Sequence, residues 1–288
     1  MKELVVISGK GGTGKTSIVA GFASLAKDAV LCDADVDAAD LYLILKPNVL
    51  KEEDFKGGHE AKIDLEKCSE CGLCLELCKF SAISEDFVID PFECEGCGVC
   101  YYFCPEEAID FKEKVCGKWF LSETRFGPFV HARLNIAEEN SGKLVAHVRQ
   151  KAKEVCEEKK LKLIITDGPP GIGCPVIASI GGADLILVVV EPTVSGIHDM
   201  ERVIDLANHF KVPTMVCINK SDLNLEMTKK IKEFLKEKNI KLVGEIPFSK
   251  EFVYAMVNEK SIIEHDPNSS SAESIRKIWK EVRDFLMV

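Results

Sequence analysis

The sequence predicts an α/β protein built on a doubly wound, mostly parallel sheet, with a small α+β module of different texture set into it. Three observations carry this expectation. Over most of the chain, short apolar runs alternate with amphipathic helical stretches, the pattern of a parallel sheet covered on both faces. The first apolar run leads into a glycine-rich loop that opens a helix. Eight of the 13 cysteines crowd between Cys68 and Cys104, where long periodic elements vanish.

A length of 288 residues favours one large domain with an insertion, or two domains. An apolar content of 46% with 29% charged residues is ordinary globular composition and excludes global disorder. The longest aliphatic run, Leu185 to Val190, falls far short of a membrane span. The opening MKELVVISGK has too few apolar residues for a secretory leader. A cytoplasmic protein is therefore expected. A net charge of −10 disfavours a generally basic nucleic-acid binder. In a reducing compartment so many cysteines point to metal rather than to disulfides.

Read in order, ELVVISG is a strand, GKGGTGKT a loop, TSIVAGFASLAK a helix and AVLCDAD a second strand ending in carboxylates. Between Asp64 and Lys112 three basic residues face twelve acidic ones, so this segment holds −9 of the net charge. Such an abrupt shift marks a separate module. We place it at residues 61–113, after the second strand, with residues 1–60 and 114–288 forming the host domain. GKWFLSETRFGPFVHARLNI then reads as one or two strands and SGKLVAHVRQKAKEVCEEKK as a helix. LKLIITDG, ADLILVVVE, TMVCINK and LVGEIP are strands. HDMERVIDLANHF, LEMTKKIKEFLKEK, KEFVYAMVNEK and ESIRKIWKEVRDFLMV are helices.

The loop Gly9 to Thr16 satisfies GxxxxGK[ST] between a strand and a helix. Its residues Gly9, Gly11, Gly12, Thr13 and Gly14 can turn backbone N–H groups toward phosphate oxygens, and the helix N-terminus with Ser17 adds a favourable dipole. Lys15 is expected to reach the β- and γ-phosphates and Thr16 to ligate Mg²⁺. Asp33, Asp35 and Asp167 lie at the ends of parallel strands, where such sheets bind their ligands. A carboxylate there can hold Mg²⁺ through water.

GKGGTGKT carries a second lysine, Lys10. The loop resembles the deviant Walker A motif of the MinD/ParA/Mrp ATPases and the nitrogenase iron protein. CDADVDAADL, DGPPGIG and CINKSDL match that family's next three landmarks in order. The resemblance covers everything outside the cysteine module. It implies an ATP-dependent homodimer in which Lys10 crosses to the partner's ATP and balances charge as the γ-phosphate leaves. It implies that Asp35 orients or deprotonates the attacking water, and that Asp167 and Gly171 sense the γ-phosphate. Asn219 would read the adenine edge, with Pro247 and Phe248 lining the base pocket.

Cys68-x2-Cys71-x2-Cys74-x3-Cys78 and Cys94-x2-Cys97-x2-Cys100-x3-Cys104-Pro105 have the bacterial ferredoxin spacing, in which the fourth cysteine of each run ligates the other cluster. One [4Fe–4S] cluster would take Cys68, Cys71, Cys74 and Cys104. The other would take Cys78, Cys94, Cys97 and Cys100. Zinc is the weaker alternative, because two tetrahedral sites rarely use doubled four-cysteine runs. Lys79 stands where a proline is expected after Cys78, which removes a turn device and not a ligand. Outside the module, Cys32, Cys174 and Cys217 are expected to be buried thiols. The nitrogenase iron protein has a cysteine at the offset of Cys174, but its second bridging cysteine has no counterpart near Asn140 and Ser141.

These features predict a nucleotide-switch ATPase that carries two closed clusters and gates electron transfer to a redox partner, docked through the acidic module. Two rivals stand beside it. One is an iron–sulfur assembly or carrier ATPase that delivers to an apo-protein, and the other a spatial organiser of the ParA/MinD kind. The lysine-rich face at 225–238 is expected to be solvated rather than to bind DNA. The last helix, with Ile275, Ile278, Trp279, Val282 and Phe285 on one side, is expected to pack on the sheet rather than on a membrane.

Overall fold

A computed structural model describes residues 1–135, 138 and 142–288. Asn140 and Ser141, which figured in the comparison with a bridging cysteine, lie outside the described residues. The chain divides into two compact units. The first comprises Met1–Glu52, Trp119–Arg133 and Asn140–Val288, and the second Glu53–Lys118 with Leu134–Glu139.

The first unit is built on β1 (Lys2–Ser8), α1 (Lys15–Leu25), β2 (Ala29–Asp33) and α2 (Leu41–Leu45). After the second unit follow β5 (Gly127–Leu134), α5 (Lys143–Glu158), β6 (Leu163–Pro170), α6 (Cys174–Ile180) and β7 (Leu185–Val190). Then come α7 (Val194–His209), β8 (Thr214–Asn219), α8 (Leu225–Glu237), β9 (Lys241–Ile246), α9 (Glu251–Val257), α10 (Ile262–His265) and α11 (Ser270–Leu286). Two long strands, β3 (Asn48–Ile63) and β4 (Ile109–Thr124), carry the chain into and out of the second unit, whose short helices are α3 (Leu73–Leu77) and α4 (Val99–Tyr102).

The nine strands run in the order β3-β4-β5-β2-β6-β1-β7-β8-β9. From β5 to β9 every neighbouring pair is parallel. Because side chains alternate across a strand, each central strand feeds two cores. Leu4 and Val6 of β1 join Leu185, Leu187 and Val189 of β7 beneath α1 and α11, where Phe22 and Trp279 meet with ring centroids 5.1 Å apart. Val5 and Ile7 join Ile186, Val188 and Val190 on the opposite face, against Val176, Met200 and Ile231 from α6, α7 and α8. This explains why the strands read as unbroken apolar runs.

Two polar devices brace this unit. Buried Arg149 on α5 pairs in a fork with buried Glu3 on β1, Nε to Oε1 at 2.8 Å and Nη2 to Oε2 at 2.7 Å. Its Nη1 donates to Ala178 O at 2.6 Å and Gly181 O at 3.0 Å, satisfying carbonyls at the end of α6. Arg125, in the two-residue link between β4 and β5, forks onto Glu264 at 2.7 and 2.9 Å and donates to the Ile44 and Leu45 carbonyls that end α2. Separately, buried His131 stacks between Phe120 and Phe129 and lies 3.1 Å from Ser122 Oγ. Burial, then the nearby Arg133 charge, lowers its pKa to about 4, so the ring is neutral at pH 7.

Several elements differ from the sequence reading. The second unit begins at Glu53, not at 61, because Asn48–Ile63 is one long, largely exposed strand with no apolar alternation to betray it. α2 and β3 therefore stand between β2 and the cysteine segment. GKWFLSETRFGPFVHARLNI forms the end of β4 and all of β5. α11 buries Ile275, Ile278, Trp279 and Val282 as expected, but Leu286, not Phe285, completes its buried face, and Phe285 is 44% exposed. Cys32 and Cys217 are buried. Cys174 is exposed, contrary to expectation, because it opens α6 directly after Gly173 and precedes the turn that reaches the core at Val176. No helix among the described residues is long and apolar enough to cross a membrane.

Candidate functional site

The glycine-rich loop joins β1 to α1. Gly12 and Gly14 take left-handed φ values of 76° and 86°, which a side chain would strain, and Gly14 forms the N-cap of α1. A Cβ at Gly9 would collide with Asp199, so the N-terminal half of α7 presses on the loop. Gly11 and Gly12 are exposed, while Thr16 and Ser17 are half-buried at the helix N-terminus. Thr13 is buried and its Oγ1 has no hydrogen-bond partner among the described residues. A buried hydroxyl without a partner suits a site completed by a ligand.

Lys15 is buried and donates to Asp167 at 2.8 Å and Asp35 at 3.2 Å. Burial opposes its charge, but the two carboxylates outweigh it and hold its pKa above the usual lysine value. Asp33, also buried, accepts the Asp35 N–H on Oδ1 at 3.1 Å and the Leu41 N–H on Oδ2 at 3.3 Å. Burial first, then Asp167, pushes the Asp33 carboxyl well above the ordinary range. Asp35 is raised by burial too, with Lys15 opposing. Three carboxyl groups near one ammonium, toward the C-terminal ends of β2 and β6, form an oxygen-rich centre that suits a divalent cation. Gly171, at φ 92°, donates its N–H to Ser8 O at 2.9 Å, which ties the end of β6 to the loop.

Lys10 is held on the other side of the loop. It donates to Thr193 Oγ1 at 3.0 Å and lies 3.6 Å from Glu191 Oε2. Asn219, at the end of β8, donates Nδ2 to Thr13 O at 2.7 Å and accepts the Lys220 N–H at 3.0 Å. Its amide therefore braces the loop and keeps one N–H and one lone pair in reserve. Lys220 donates to Gly12 O at 3.0 Å and pairs with Glu191 at 3.4 Å. Pro247 and exposed Phe248 follow β9, and the Phe248 N–H donates to Asp222 Oδ1 at 2.6 Å. The sequence reading passed over Glu191, Thr193, Lys220 and Asp222. Glu191 and Thr193 had position alone as their signal, just after β7, whereas Lys220 and Asp222 lie within the CINKSDL landmark but were given no role of their own.

The second unit is a folded repeat. Glu70 and Gly96, which precede the second cysteine of each run, are both left-handed, as are Gly72 and Gly98, which follow it and cap α3 and α4. Ser81 and Glu107, three residues after the fourth cysteine, match as well. The repeat gathers the cysteines in two sets. Cys68, Cys71, Cys74 and Cys104 line one small pocket with Ile63, Leu73 and Ile109. Cys78, Cys94, Cys97 and Cys100 line another with Ile83, Ile89 and Val99. Cys68 Sγ accepts the Glu70 N–H at 3.4 Å and Cys104 Sγ the Ala108 N–H at 3.3 Å. Burial pushes the Cys74 and Cys100 thiols up, with the neighbouring cysteines adding to it, so a deprotonated set needs a bound cation. Among the described residues, no three His, Cys, Asp or Glu side chains gather as closely as a single metal ion requires.

The CobQ/CobB/MinD/ParA nucleotide binding domain matches residues 4–262. An uncharacterized protein of Methanocaldococcus jannaschii, MJ0578, is 34% identical over 99% of this chain and 97% of its own length. A second from the same organism, MJ0579, is 27% identical over 80% of this chain and 87% of its own. Among solved structures, the MinD of Pyrococcus horikoshii complexed with Mg-ADP aligns with a TM-score of 0.61 at 15% identity, covering 98% of this chain and 95% of that one. The MinC:MinD cell division complex of Aquifex aeolicus aligns at 0.60 with 19% identity, covering 99% and 96%. At these identities the structures share the fold. The matched span includes the phosphate loop, the three carboxylates and the β8 and β9 loops, and the chain belongs to the CobQ/CobB/MinD/ParA family of nucleotide-binding proteins.

Proposed function

We propose that the chain is an ATP-hydrolysing nucleotide switch that works as a homodimer, holds two [4Fe–4S] clusters in a ferredoxin-like insertion and gates electron transfer to a partner. The observation that carries the redox half is the partition of eight cysteines into two sets of four around separate cavities, in the crossed pattern of the ferredoxin spacing. A single zinc needs all its thiolates about 2.3 Å from one point, and the described cysteines are not so gathered. Cubic clusters spread four thiolates over four corners, and the doubled four-cysteine spacing suits them better. Cys68, Cys71, Cys74 and Cys104 would hold one, and Cys78, Cys94, Cys97 and Cys100 the other. Such clusters supply one-electron exchange when bound.

In the nucleotide half, the N–H groups of Gly9 to Thr16 would cradle the phosphates, and Thr16 would ligate Mg²⁺ with Asp33, Asp35 and Asp167 nearby. Lys15 would exchange its carboxylate partners for β- and γ-phosphate oxygens. Asp35, freed of Lys15, would orient the attacking water and take its proton. Lys10 would leave Glu191 and Thr193 to balance charge on the phosphoryl oxygens, the function the family assigns to a partner's lysine. Asp167 and Gly171 would respond to the γ-phosphate, since Gly171 is bonded to Ser8 beside the loop.

The test is an anaerobic redox titration with an ATP analogue and then with ADP. A nucleotide-dependent shift in potential, or in the rate of electron transfer, is expected. Identical potentials together with identical rates overturn the gating. The carrier reading gains one observation, the exposed Cys174 beside the Gly171 turn. It predicts iron delivered to an apo-protein and lost when Cys174→Ser is introduced. The organiser reading is supported by the likeness to MinD structures and predicts ATP-dependent binding to DNA or lipid.

A further inference from the structure

We propose that Asp222 selects the purine, and that the nucleotide site takes guanine nucleotides at least as tightly as adenine nucleotides. The inference rests on reading Gly9–Thr16 as a nucleotide site and changes only the base which that site prefers.

Two consecutive side chains after β8 are lashed to the phosphate loop. Asn219 donates to Thr13 O at 2.7 Å and Lys220 to Gly12 O at 3.0 Å. Lys220 is left-handed, with φ 55°, so the chain turns sharply there before Ser221 and Asp222. Ser221 N–H donates to Ile246 O at 3.0 Å, and Asp222 Oδ1 accepts the Phe248 N–H at 2.6 Å. Asp222 is thus bonded to the loop after β9, two residues beyond a lysine that is itself bonded to the loop that would hold phosphates. A base joined by its ribose to phosphates on Gly9–Thr16 lies between those two loops, outside the carboxyl ends of β8 and β9.

The chemistry of Asp222 then decides which base fits. The side chain is exposed, and its Oδ2 makes no hydrogen bond or ion pair among the described residues. The nearest lysine in sequence, Lys220, spends its ammonium on Gly12 O and Glu191. A carboxylate only accepts. Guanine offers two adjacent donors, N1–H and the N2 amino group, and a carboxylate can accept both. Adenine offers an amino group beside the bare lone pair of N1, which a carboxylate repels. Asn219 does not offset this, because one N–H and one lone pair of its amide are already engaged. A bidentate base contact discriminates by roughly tenfold to a hundredfold.

The experiment uses the full chain, purified anaerobically, with a fluorescent nucleoside diphosphate displaced by GDP or by ADP. Wild type, Asp222→Asn and Lys15→Ala are compared. The amide oxygen in the Asp222→Asn variant can still accept the Phe248 N–H, so the fold of the loop is kept. The expected result is GDP competing at least as well as ADP in wild type, with Asp222→Asn weakening GDP by roughly tenfold or more and leaving ADP unchanged or tighter. A wild type that binds ADP well and GDP at least tenfold more weakly overturns the inference and leaves the nucleotide-switch reading standing. Equal weakening of both by Asp222→Asn also overturns it, and makes Asp222 a brace for the Phe248 loop. No binding of either nucleotide, matching Lys15→Ala, overturns the nucleotide site itself.

Discussion

The two units of this chain prepare for their ligands in opposite ways. The nucleotide unit has two large apolar cores, one on each face of the sheet, and its polar groups already hold one another: Lys15 with Asp35 and Asp167, Lys10 and Lys220 with Glu191, Asn219 with Thr13. The cysteine unit centres on three buried isoleucines, Ile63, Ile83 and Ile109, with half-buried cysteines packed around them. Much of its aromatic surface is outside, Phe92 at 80% and Tyr102 at 75% exposure. The first unit is folded by its core and waits for a ligand. The second has only a small apolar centre, so a group bound by its cysteines would add much to its folding.

The largest effect that would break this contrast is loss of metal. With the proposed clusters in place, extracting their iron is expected to unfold the cysteine unit, since metal binding to a small domain contributes on the order of 10 kcal/mol or more to folding, while the nucleotide unit keeps its own thermal transition. Calorimetry with circular dichroism checks this, and two units melting together in the metal-free chain would end the contrast. Next is Arg149→Met. It leaves buried Glu3 with only Lys153 at 3.5 Å and the Thr166 hydroxyl at 3.2 Å, and a cost of about 3 kcal/mol is expected in the denaturant-derived stability of the nucleotide unit. Iron content of the cysteine unit should not change.

A pH effect follows at smaller scale. His131 is neutral in the fold, with its pKa lowered to about 4. Its contribution is fully present above the unfolded value near 6.5 and is lost as the pH falls toward 4. Wild type is expected to lose about 2–3 kcal/mol across that window on this account, and His131→Phe should flatten the profile of stability against pH. The smallest effect sharpens the contrast within the nucleotide unit. Ser261 and Glu264 form a reciprocal capping box at α10, and Ser261→Ala should cost about 1 kcal/mol without altering nucleotide affinity.

What could be read from the sequence follows the same division. β1, β2, β6, β7 and β8 are built on runs of apolar residues because both faces are covered, so the pattern and the burial coincide. β3 escaped because NVLKEEDFKGGHEAKI is charged and mostly exposed, and a strand that buries only its last residue, Ile63, leaves no period in the sequence. α6 escaped because it is seven residues long and opens with Cys-Pro, which looks like the end of a loop. The phosphate loop was legible because phosphate chemistry dictates glycines and a lysine at fixed spacing. The bracing around it was not. Arg149 lies 146 positions from Glu3, and Lys220 lies 208 from Gly12, so only the folded sheet brings them together. Cys174 shows the reverse error, where a cysteine's usual preference for the interior was overruled by its place at the first turn of a helix.

The ends of the cysteine segment have a consequence of their own. Ile63 closes β3 and Ile109 opens β4, the two strands are neighbours in the sheet, and the Asp64 N–H donates to Ala108 O at 2.8 Å. The whole eight-cysteine stretch therefore leaves and re-enters through a doorway one hydrogen bond wide. Replacing residues 65–107 by a two-residue Asn-Gly turn is expected to close the strands again as an ordinary hairpin, which makes the stretch a removable cassette.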